Sequence, residues 1–304
     1  MDFTPFFITW ISIIIDIFSR INIKTTGFSW ETISIKRNTK GELQVATGIR
    51  SRASSMYTPG QNSVFKISRS KFSDFLDCPR CFYLDRVKGL QSPSMPGWAL
   101  NTAVDELLKK EFDFYRAQKK PHPIFEEYKL NFIPFEHEDL DTWRNSLKGG
   151  IGYEDEETNL FIHGGVDDLW FDLDKEQVVV ADYKAQSSAV PIEKESYLGS
   201  TYHQGYKIQM DIYVYILRQM GYSVSDTAYF MVCNGEKTPD RFDANMQFVV
   251  KLVDYQVDTS WVGPKIKEMK QVMDSPEIPE VNPHCENCAY IQQAEKLSQK
   301  NDNI

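Results

Sequence analysis

The sequence predicts an α/β fold with a mixed central β-sheet flanked by helices. Apolar residues recur at helical spacing over 99–118 and again over 202–222, which predicts two amphipathic helices. Between them, two runs rich in β-branched and aromatic residues, 159–172 and 177–185, flank the short sequence LDKE and predict a β-hairpin. Helices that alternate with strands are typical of a sheet layered between helices.

Shorter elements complete this pattern, and each is expected from a local signal such as a capping residue, a glycine or an apolar run. The predicted helices are one capped by Ser68 or Ser70 and ending near Leu76, a second after Pro79, and a third over 260–273, and the predicted strands cover 224–233 and 241–253. The region 121–158 is expected to be irregular, with a short helix near 140–147. The second long helix is expected to end at Gly221.

The composition favours a globular protein and limits the mode of any nucleic-acid binding. Hydrophobic residues make up 41% of the chain and aromatic residues 13%, so a sizeable core is expected rather than disorder. The net charge of −9 argues against a basic surface that wraps nucleic acid. Residues 1–90 nevertheless carry 13 Lys and Arg against 7 Asp and Glu, whereas 91–304 carry 21 against 36. The negative net charge therefore does not exclude a nucleic-acid enzyme, because a local groove and bound divalent cations determine the electric field where the substrate binds.

The N-terminal sequence differs from the rest of the chain. Residues 3–15 are strongly apolar, but Asp16 interrupts them, the run is short for a membrane span and the flanks are poor for a signal peptide. We expect residues 1–55 to be a leader or a poorly ordered extension, with a membrane-associated helix as the alternative. One domain is expected over 56–295 and a tail over 296–304, in a cytoplasmic protein.

The sequence VVVADYKAQ at 178–186 places two charges at the end of a buried strand. Asp182 and Lys184 follow an apolar run and lie two residues apart, so they share a face of the strand. The preceding strand carries Asp167 and Asp168, which must point to opposite faces, so only one of them can meet Asp182 across the hairpin. Burying such charges is costly unless something pairs with them.

A divalent cation would resolve this cost. Two carboxylates in a partly buried site repel each other, and Mg²⁺ prefers one or two carboxylates together with water and phosphate oxygens. A lysine beside the ion can orient a bound water and stabilise charge at phosphorus. Gly164 and Gly165, just before the acids, would permit a bulge or a close backbone approach. The alternative, a surface hairpin with solvated charges, is disfavoured by the apolar run and the partner acid.

Three ordered motifs, GGVDDLW, VVVADYKA and QMDIY, resemble the PD-(D/E)XK nuclease superfamily, and specifically its RecB-like branch, which includes the CRISPR-associated RecB-like exonucleases. In that branch the motifs read G-x-x-D, D-x-K and Q-x-x-x-Y. The resemblance implies a restriction-endonuclease-like core. It assigns Asp167, rather than Asp168, to the first motif, Asp182 and Lys184 to the second, and Gln209 and Tyr213 to the third.

The same resemblance implies a metal-dependent DNA nuclease that serves DNA repair, recombination or defence. Asp167, Asp182 and the carbonyl of Tyr183 would hold Mg²⁺ or Mn²⁺, and Lys184 would position the attacking water. Gln209 and Tyr213 would contact the substrate or support the lysine, although they could also simply line a helix–sheet interface. The expected partner is DNA, as a single strand or a duplex end, and the resemblance leaves the identity of a helicase or repair partner open. Two other hypotheses are an inactive nucleic-acid-binding module of the same fold and a redox-sensing protein.

The first long helix departs from the branch pattern. The branch usually carries a histidine four residues after a glycine, and here Gly97 leads to Asn101, which is a poor metal ligand. Asp105, one turn further on, is a candidate substitute, and Glu106 is the alternative. Both acids could instead belong to a solvated helix face.

The cysteines predict a second metal site. There are five, an odd number that disfavours a disulfide framework. Four form two C-x-x-C pairs, Cys78 with Cys81 and Cys285 with Cys288, a spacing that chelates a metal from a tight turn. Some members of the resembling branch hold a [4Fe–4S] cluster with one cysteine before the nuclease core and three after it. Here two cysteines precede the core and two follow it, so Zn²⁺ is an alternative to the cluster. A further alternative is that the two cysteine pairs are unrelated.

Two further residues could take part in this chemistry. His284 is next to a cysteine pair and could replace a ligand, although a single histidine is more often only a surface residue. Cys233 lies in a predicted strand and is expected in the core.

Overall fold

The computed structural model describes most of the 304-residue chain. The described residues are 35–38, 40, 42–93 and 99–301. The apolar segment 3–15 lies outside them, and so does Gly97.

The chain divides into two compact units. One consists of Met1–Thr47 and Pro93–Pro96, and the other consists of Gly48–Ser92 and Gly97–Ile304. The larger unit therefore begins before the predicted boundary at Met56.

In the smaller unit, the described residues form a tight turn. Arg37 and Leu43 form an antiparallel bridge. The side chain of Asn38 accepts hydrogen bonds from the backbone N–H groups of Lys40 and Glu42, both at 2.9 Å. This is how asparagine side chains commonly close a turn.

The larger unit contains helices of very different length, in the order expected for an α/β protein. They are α1 (Arg69–Asp77), α2 (Pro79–Arg86), α3 (Ala99–Ala117), α4 (Pro123–Glu127), α5 (Leu140–Trp143), α6 (Lys194–Gly199), α7 (Gln204–Gln219), α8 (Val262–Asp274) and α9 (Glu286–Asn301). None of the helices described is long and apolar enough to cross a bilayer. The last helix runs through the predicted domain boundary at residue 295.

The strands form two separate sheets. They are β1 (Phe65–Ser68), β2 (Phe132–Pro134), β3 (Ile151–Asp155), β4 (Leu160–Gly164), β5 (Asp168–Asp172), β6 (Gln177–Gln186), β7 (Thr227–Gly235) and β8 (Phe248–Gln256). The larger sheet has the order β2-β5-β6-β7-β8 and the smaller sheet the order β1-β4-β3. Both sheets mix parallel and antiparallel pairs, so the predicted mixed α/β fold with flanking helices is confirmed.

The central hairpin forms as predicted. β5 and β6 pair antiparallel, with Asp168 opposite Ala181. β6 then pairs parallel to β7, and the crossover between them contains α6 and α7. A parallel pair requires such a long connection, and helices usually supply it. Gly221, at φ +94°, ends the long helix in the left-handed conformation that glycine adopts most readily.

The predicted strand over 159–172 is wrong as a single element, because it divides between the two sheets. β4 ends at Gly164, and β5 begins at Asp168 in the other sheet. The backbone at the break is tightly packed. A Cβ on Gly165 would lie 2.9 Å from the carbonyl oxygen of Arg144, a separation that side chains do not tolerate. The close backbone approach expected at these glycines is therefore present, and it redirects the chain from one sheet to the other.

The expectation of an irregular region over 121–158 is also wrong. It contains α4, β2, α5 and β3, although α5 does lie where a short helix was expected. β2 has three residues and β3 has five, so neither carries enough alternation to be recognised alone. β2 is stabilised by β5, which lies far along the chain, whereas β3 forms a hairpin with the next strand, β4.

The core has two parts, one on each face of β6. Val178 and Val180 pack into a cluster with residues of α7 and of the smaller sheet. Val179 and Ala181 pack on the opposite face, against Phe112 of α3 and its neighbours. Burial on both faces explains why the strand is apolar throughout. Asp182 and Lys184 share the face of Val180, so the alternation of β6 directs them toward α7.

Candidate active site

The end of β6 carries a buried ion pair. Asp182 is fully buried, and one carboxylate oxygen contacts the ammonium of Lys184. The other oxygen accepts a hydrogen bond from Nε2 of Gln209 on α7, at 2.6 Å. Gln209 lies only 3.3 Å from the hydroxyl of Tyr213, one helical turn further along. The structure therefore brings the second and third motifs together at one point.

The two adjacent acids of the first motif lie on opposite sides of the sheet. Asp167 accepts a hydrogen bond from the backbone N–H of Tyr183 at 2.9 Å, beside the charged end of β6. Asp168 is buried on the other face, where Arg116 and Arg144 donate to it at 2.5 and 2.6 Å. The neighbour of Asp182 is thus Asp167, the acid that the glycine spacing selected.

These carboxylates influence each other strongly. Burial raises the pKa of Asp182 to about 7, and the charge of Asp167 adds to the rise while Lys184 opposes it. For Lys184, burial opposes the charged form, but the carboxylates of Asp182 and Asp167 outweigh it and raise the pKa of the ammonium. The site therefore holds two close carboxylates, and the charge of Lys184 does not fully offset the burial of Asp182.

The first long helix adds a third carboxylate. Asp105 on α3 pairs with Lys109 at 2.7 Å through one oxygen, while its Oδ1 is buried without a hydrogen-bond partner. Burial and then the charge of Asp167 raise the pKa of Asp105. Glu106 is exposed on the neighbouring face. Asn101 points to the end of β6, with its amide 3.3 Å from the carbonyl oxygen of Ala185.

Three basic or aromatic residues were not predicted for the site. The ammonium of Lys109 lies 4.0 Å from Oδ1 of Asp167, and that of Lys184 lies 4.5 Å from the ring centre of Tyr206. The i, i+4 spacing of Lys109 from Asp105 could have revealed the first residue. Tyr206 reaches the site only through the packing of α7, so no local signal marks it.

Arg69, the first residue of α1, is the third of these. A Cβ on Gly164 would lie 2.7 Å from the Tyr213 ring and 3.1 Å from Cβ of Arg69, so the glycine allows both side chains to approach. Burial raises the pKa of Tyr213 to about 12, although a hydrogen bond and the charge of Arg69 oppose the rise. Nε of Arg69 is buried without a hydrogen-bond partner.

A cavity of about 490 Å³ opens onto the ion pair. It is lined by residues of α3, β6 and α7, namely Asn101, Val104, Asp105, Tyr183, Lys184, Ala185 and Tyr206. The side chains of Asp105 and Lys184 therefore face the same space, from two different elements of the fold.

The residues present fit a divalent cation. Asp105 has a buried oxygen without a partner, and the pKa of buried Asp182 is raised by its surroundings, including Asp167. A cation between such carboxylates would satisfy the free oxygen and favour their charged forms. Asp105, Asp167 and Asp182 offer the oxygen ligands that Mg²⁺ and Mn²⁺ prefer.

The four paired cysteines meet at a second site. Sγ of Cys78 lies 3.7 Å from Sγ of Cys288, and Sγ of Cys81 lies 3.7 Å from that of Cys285 and 3.6 Å from that of Cys288. Since all four ligand atoms lie within 4.8 Å of one another, the alternative of two unrelated pairs is wrong. We call these four residues the cysteine group.

The remaining candidates stay outside the cysteine group. His284 is exposed and does not belong to the group. Cys233 is buried in β7, as expected for a core residue.

Fold and site together define an α/β protein with a carboxylate–lysine centre at the end of its central strand. The family model of the PD-(D/E)XK nuclease superfamily matches residues 97–293, which is more than half of the chain. The chain belongs to the PD-(D/E)XK nuclease superfamily. The matched segment contains all the candidate acids, Lys184, Gln209 and Tyr213, and it excludes Arg69 and the first cysteine pair.

Comparison with solved structures gives a more distant likeness. The chain is similar to a protein of Eubacterium rectale that is called a putative exonuclease, with 13% identity and a TM-score of 0.36 over 74% of this chain and 87% of that one. No curated protein matches the chain significantly.

Proposed function

We propose that this protein is a metal-dependent DNA nuclease of the RecB-like branch, which hydrolyses phosphodiester bonds. The observation that carries the proposal is the meeting of Asp167, Asp182 and Lys184 at the end of β6, beside a cavity that Lys184 lines. Membership of a nuclease superfamily supplies the reaction class. The motifs quoted above support the branch and, with it, a role in DNA repair, recombination or defence.

Asp167 and Asp182 would hold Mg²⁺ or Mn²⁺, with Asp105 and the carbonyl oxygen of Tyr183 as further ligands. When bound, the ion supplies Lewis acidity at the phosphate and lowers the pKa of a coordinated water. Gln209 would keep Asp182 in one rotamer through its hydrogen bond at 2.6 Å. This fixed geometry is what a carboxylate ligand requires.

Lys184 would act on the attacking water. Its ammonium contacts Asp182 and lies over the Tyr206 ring, so its position is restrained from two sides. The ammonium can donate a hydrogen bond to a water in the cavity and orient it toward the phosphorus atom. It can also stabilise the negative charge that develops on the phosphate oxygens in the transition state.

Arg69 would bind a substrate phosphate next to the scissile bond. Its Nε is buried without a partner. The charge of its guanidinium lowers the pKa of Tyr213, whereas the charges of Asp167 and Asp182 raise that pKa, so Arg69 lies in the same surroundings as the two acids. A phosphate oxygen would satisfy this free donor, because guanidinium groups bind phosphate in a planar, two-point geometry.

A cleavage assay on three forms of labelled DNA tests the proposal. Single-stranded, duplex and branched DNA would be incubated with the full chain and Mg²⁺, Mn²⁺ or EDTA. We expect cleavage of at least one form with either metal and none with EDTA. Binding of DNA without cleavage in both metals would instead identify a nucleic-acid-binding module, in which Asn101 replaces a ligand that the reaction needs.

A further inference from the structure

The sulfur atoms of the cysteine group are spaced for one metal ion. Three of their separations are 3.6, 3.7 and 3.7 Å, and the ligand atoms of all four lie within 4.8 Å of one another. Around a single tetrahedral Zn²⁺ with Zn–S bonds of about 2.3 Å, sulfur atoms lie about 3.8 Å apart. These three separations therefore match a mononuclear tetrahedral site, and the remaining ones are at most 4.8 Å.

An iron–sulfur cube requires a wider arrangement. In a [4Fe–4S] cluster each cysteine binds a different iron atom, so the four thiolates lie at the outer corners of a body that is larger than one ion. The free cysteines are also well beyond the S–S bond length of about 2.05 Å, so the group is not a pair of disulfides. We propose that the cysteine group holds one structural Zn²⁺ in place of an iron–sulfur cluster.

The helices that carry the group suit four thiolates around one dication. Cys78 precedes α2 and Cys81 lies in its first turn, while Cys285 precedes α9 and Cys288 lies in its first turn. Each pair is thus at a helix N-terminus, where free backbone N–H groups and the helix dipole stabilise negative charge. Four thiolates and one Zn²⁺ leave a net charge of −2, which these two helix ends partly offset.

The ion would fasten the last helix of the unit to an early one. Hydrogen bonds already join α2 to the connection between α8 and α9, since Nη1 of Arg80 donates to the carbonyl oxygen of Pro279 at 2.8 Å. Tyr83 adds a hydrogen bond from its hydroxyl to the carbonyl oxygen of Ser275 at 2.9 Å. Because a structural zinc site is rarely preformed in the unfolded chain, its binding energy contributes directly to folding. The group would therefore stabilise the fold and supply no chemistry to the reaction.

Metal analysis of the full chain tests the proposal. The protein would be produced in medium supplemented with both iron and zinc, and purified without oxygen so that a cluster would survive. We expect about one zinc per chain, little iron and a colourless protein. Iron with acid-labile sulfide and a brown colour would overturn the proposal. A metal-free protein with four reactive thiols in the group would overturn it as well.

Variants locate the ion. Cys81→Ser and Cys285→Ser should each lose most of the zinc, whereas Cys233→Ser, the same substitution at a cysteine of β7 outside the group, should keep it. If a serine variant does not fold, Co²⁺ exchanged into the wild-type chain gives a second readout. A tetrahedral thiolate site should then show intense visible bands and sulfur-to-cobalt charge transfer. Full zinc in both serine variants, or an octahedral cobalt spectrum, would contradict the assignment.

Discussion

Asp167 accepts a hydrogen bond from the backbone N–H of Tyr183 at 2.9 Å. The hydroxyl of the same tyrosine donates to Asp168, at 2.8 Å, on the other face of the sheet. One residue of β6 thus contacts both adjacent acids and separates their surroundings. Asp167 lies beside Asp182, whereas Asp168 is enclosed by arginines. This division allows the two acids to be tested as a matched pair.

Asp167→Asn should abolish cleavage and leave the fold intact, because it removes one charge from the metal-binding pair. The rate constant should fall by about 10²–10³-fold or more. Asp168→Asn should instead lower the free energy of unfolding by about 1.5–3 kcal/mol, since it removes the buried carboxylate charge from Arg116 and Arg144 and leaves them only the more exposed Asp113. Single-turnover cleavage and urea denaturation measure the two effects. The reverse pattern would show that the wrong acid has been assigned.

Much of this site follows from short-range patterns in the sequence. The apolar run of β6, the alternation of its last residues and the helical spacing of Gln209 and Tyr213 are local properties, and the structure contains each of them. Strand alternation limited the partner of Asp182 to one of the two adjacent acids, and the resemblance of Gly164–Asp167 to the G-x-x-D motif assigned Asp167.

Other features depend on packing between distant segments. β1 pairs parallel to β4, and the Phe65–Leu160 partners are nearly a hundred residues apart, so no local pattern announces the smaller sheet. Arg69 approaches Tyr213 only because α1 follows this sheet and Gly164 leaves room. The cysteine spacing suggested a metal, but only the folded chain gives the sulfur separations on which the proposal of a single Zn²⁺ rests.

Gln209→Ala should reduce activity without removing it. The variant loses the hydrogen bond to Oδ1 of Asp182, so the carboxylate is no longer held in one orientation. Loss of such a supporting contact typically costs about 10–100-fold in metal affinity or activity. The dependence of the cleavage rate on Mg²⁺ concentration measures this loss of metal affinity or activity. Gln219→Ala, on an exposed position at the end of the same helix, is the control, and equal behaviour of the two variants would refute the role.

Asp105→Asn should raise the Mg²⁺ concentration needed for half-maximal cleavage by about 10-fold or more, because the buried Oδ1 would no longer belong to a charged ligand. Glu106→Gln should have little effect, since that side chain is exposed. Metal titrations of both variants separate the two candidates for the first-helix ligand. A larger effect for Glu106→Gln would transfer the role to that residue.

Arg69→Ala should weaken substrate binding more than it slows the chemical step. A hydrogen bond from a charged group contributes about 1.5–3 kcal/mol, so KM should rise by about 10–100-fold while kcat changes less. Lys66→Ala removes a nearby positive charge from the exposed side of β1 and serves as the control. An unchanged KM for Arg69→Ala, measured with DNA as substrate, would exclude a phosphate contact.

Cleavage of labelled DNA with Mg²⁺ by the wild-type chain, Lys184→Ala and Lys175→Ala measures the role of Lys184 in the reaction. Lys175 is exposed in the turn of the same hairpin, at the opposite end of β6. We predict that the wild-type chain and Lys175→Ala cut the DNA equally well. Lys184→Ala, with an unchanged circular dichroism spectrum, should show no cleavage. Wild-type cleavage by a folded Lys184→Ala variant would contradict the account.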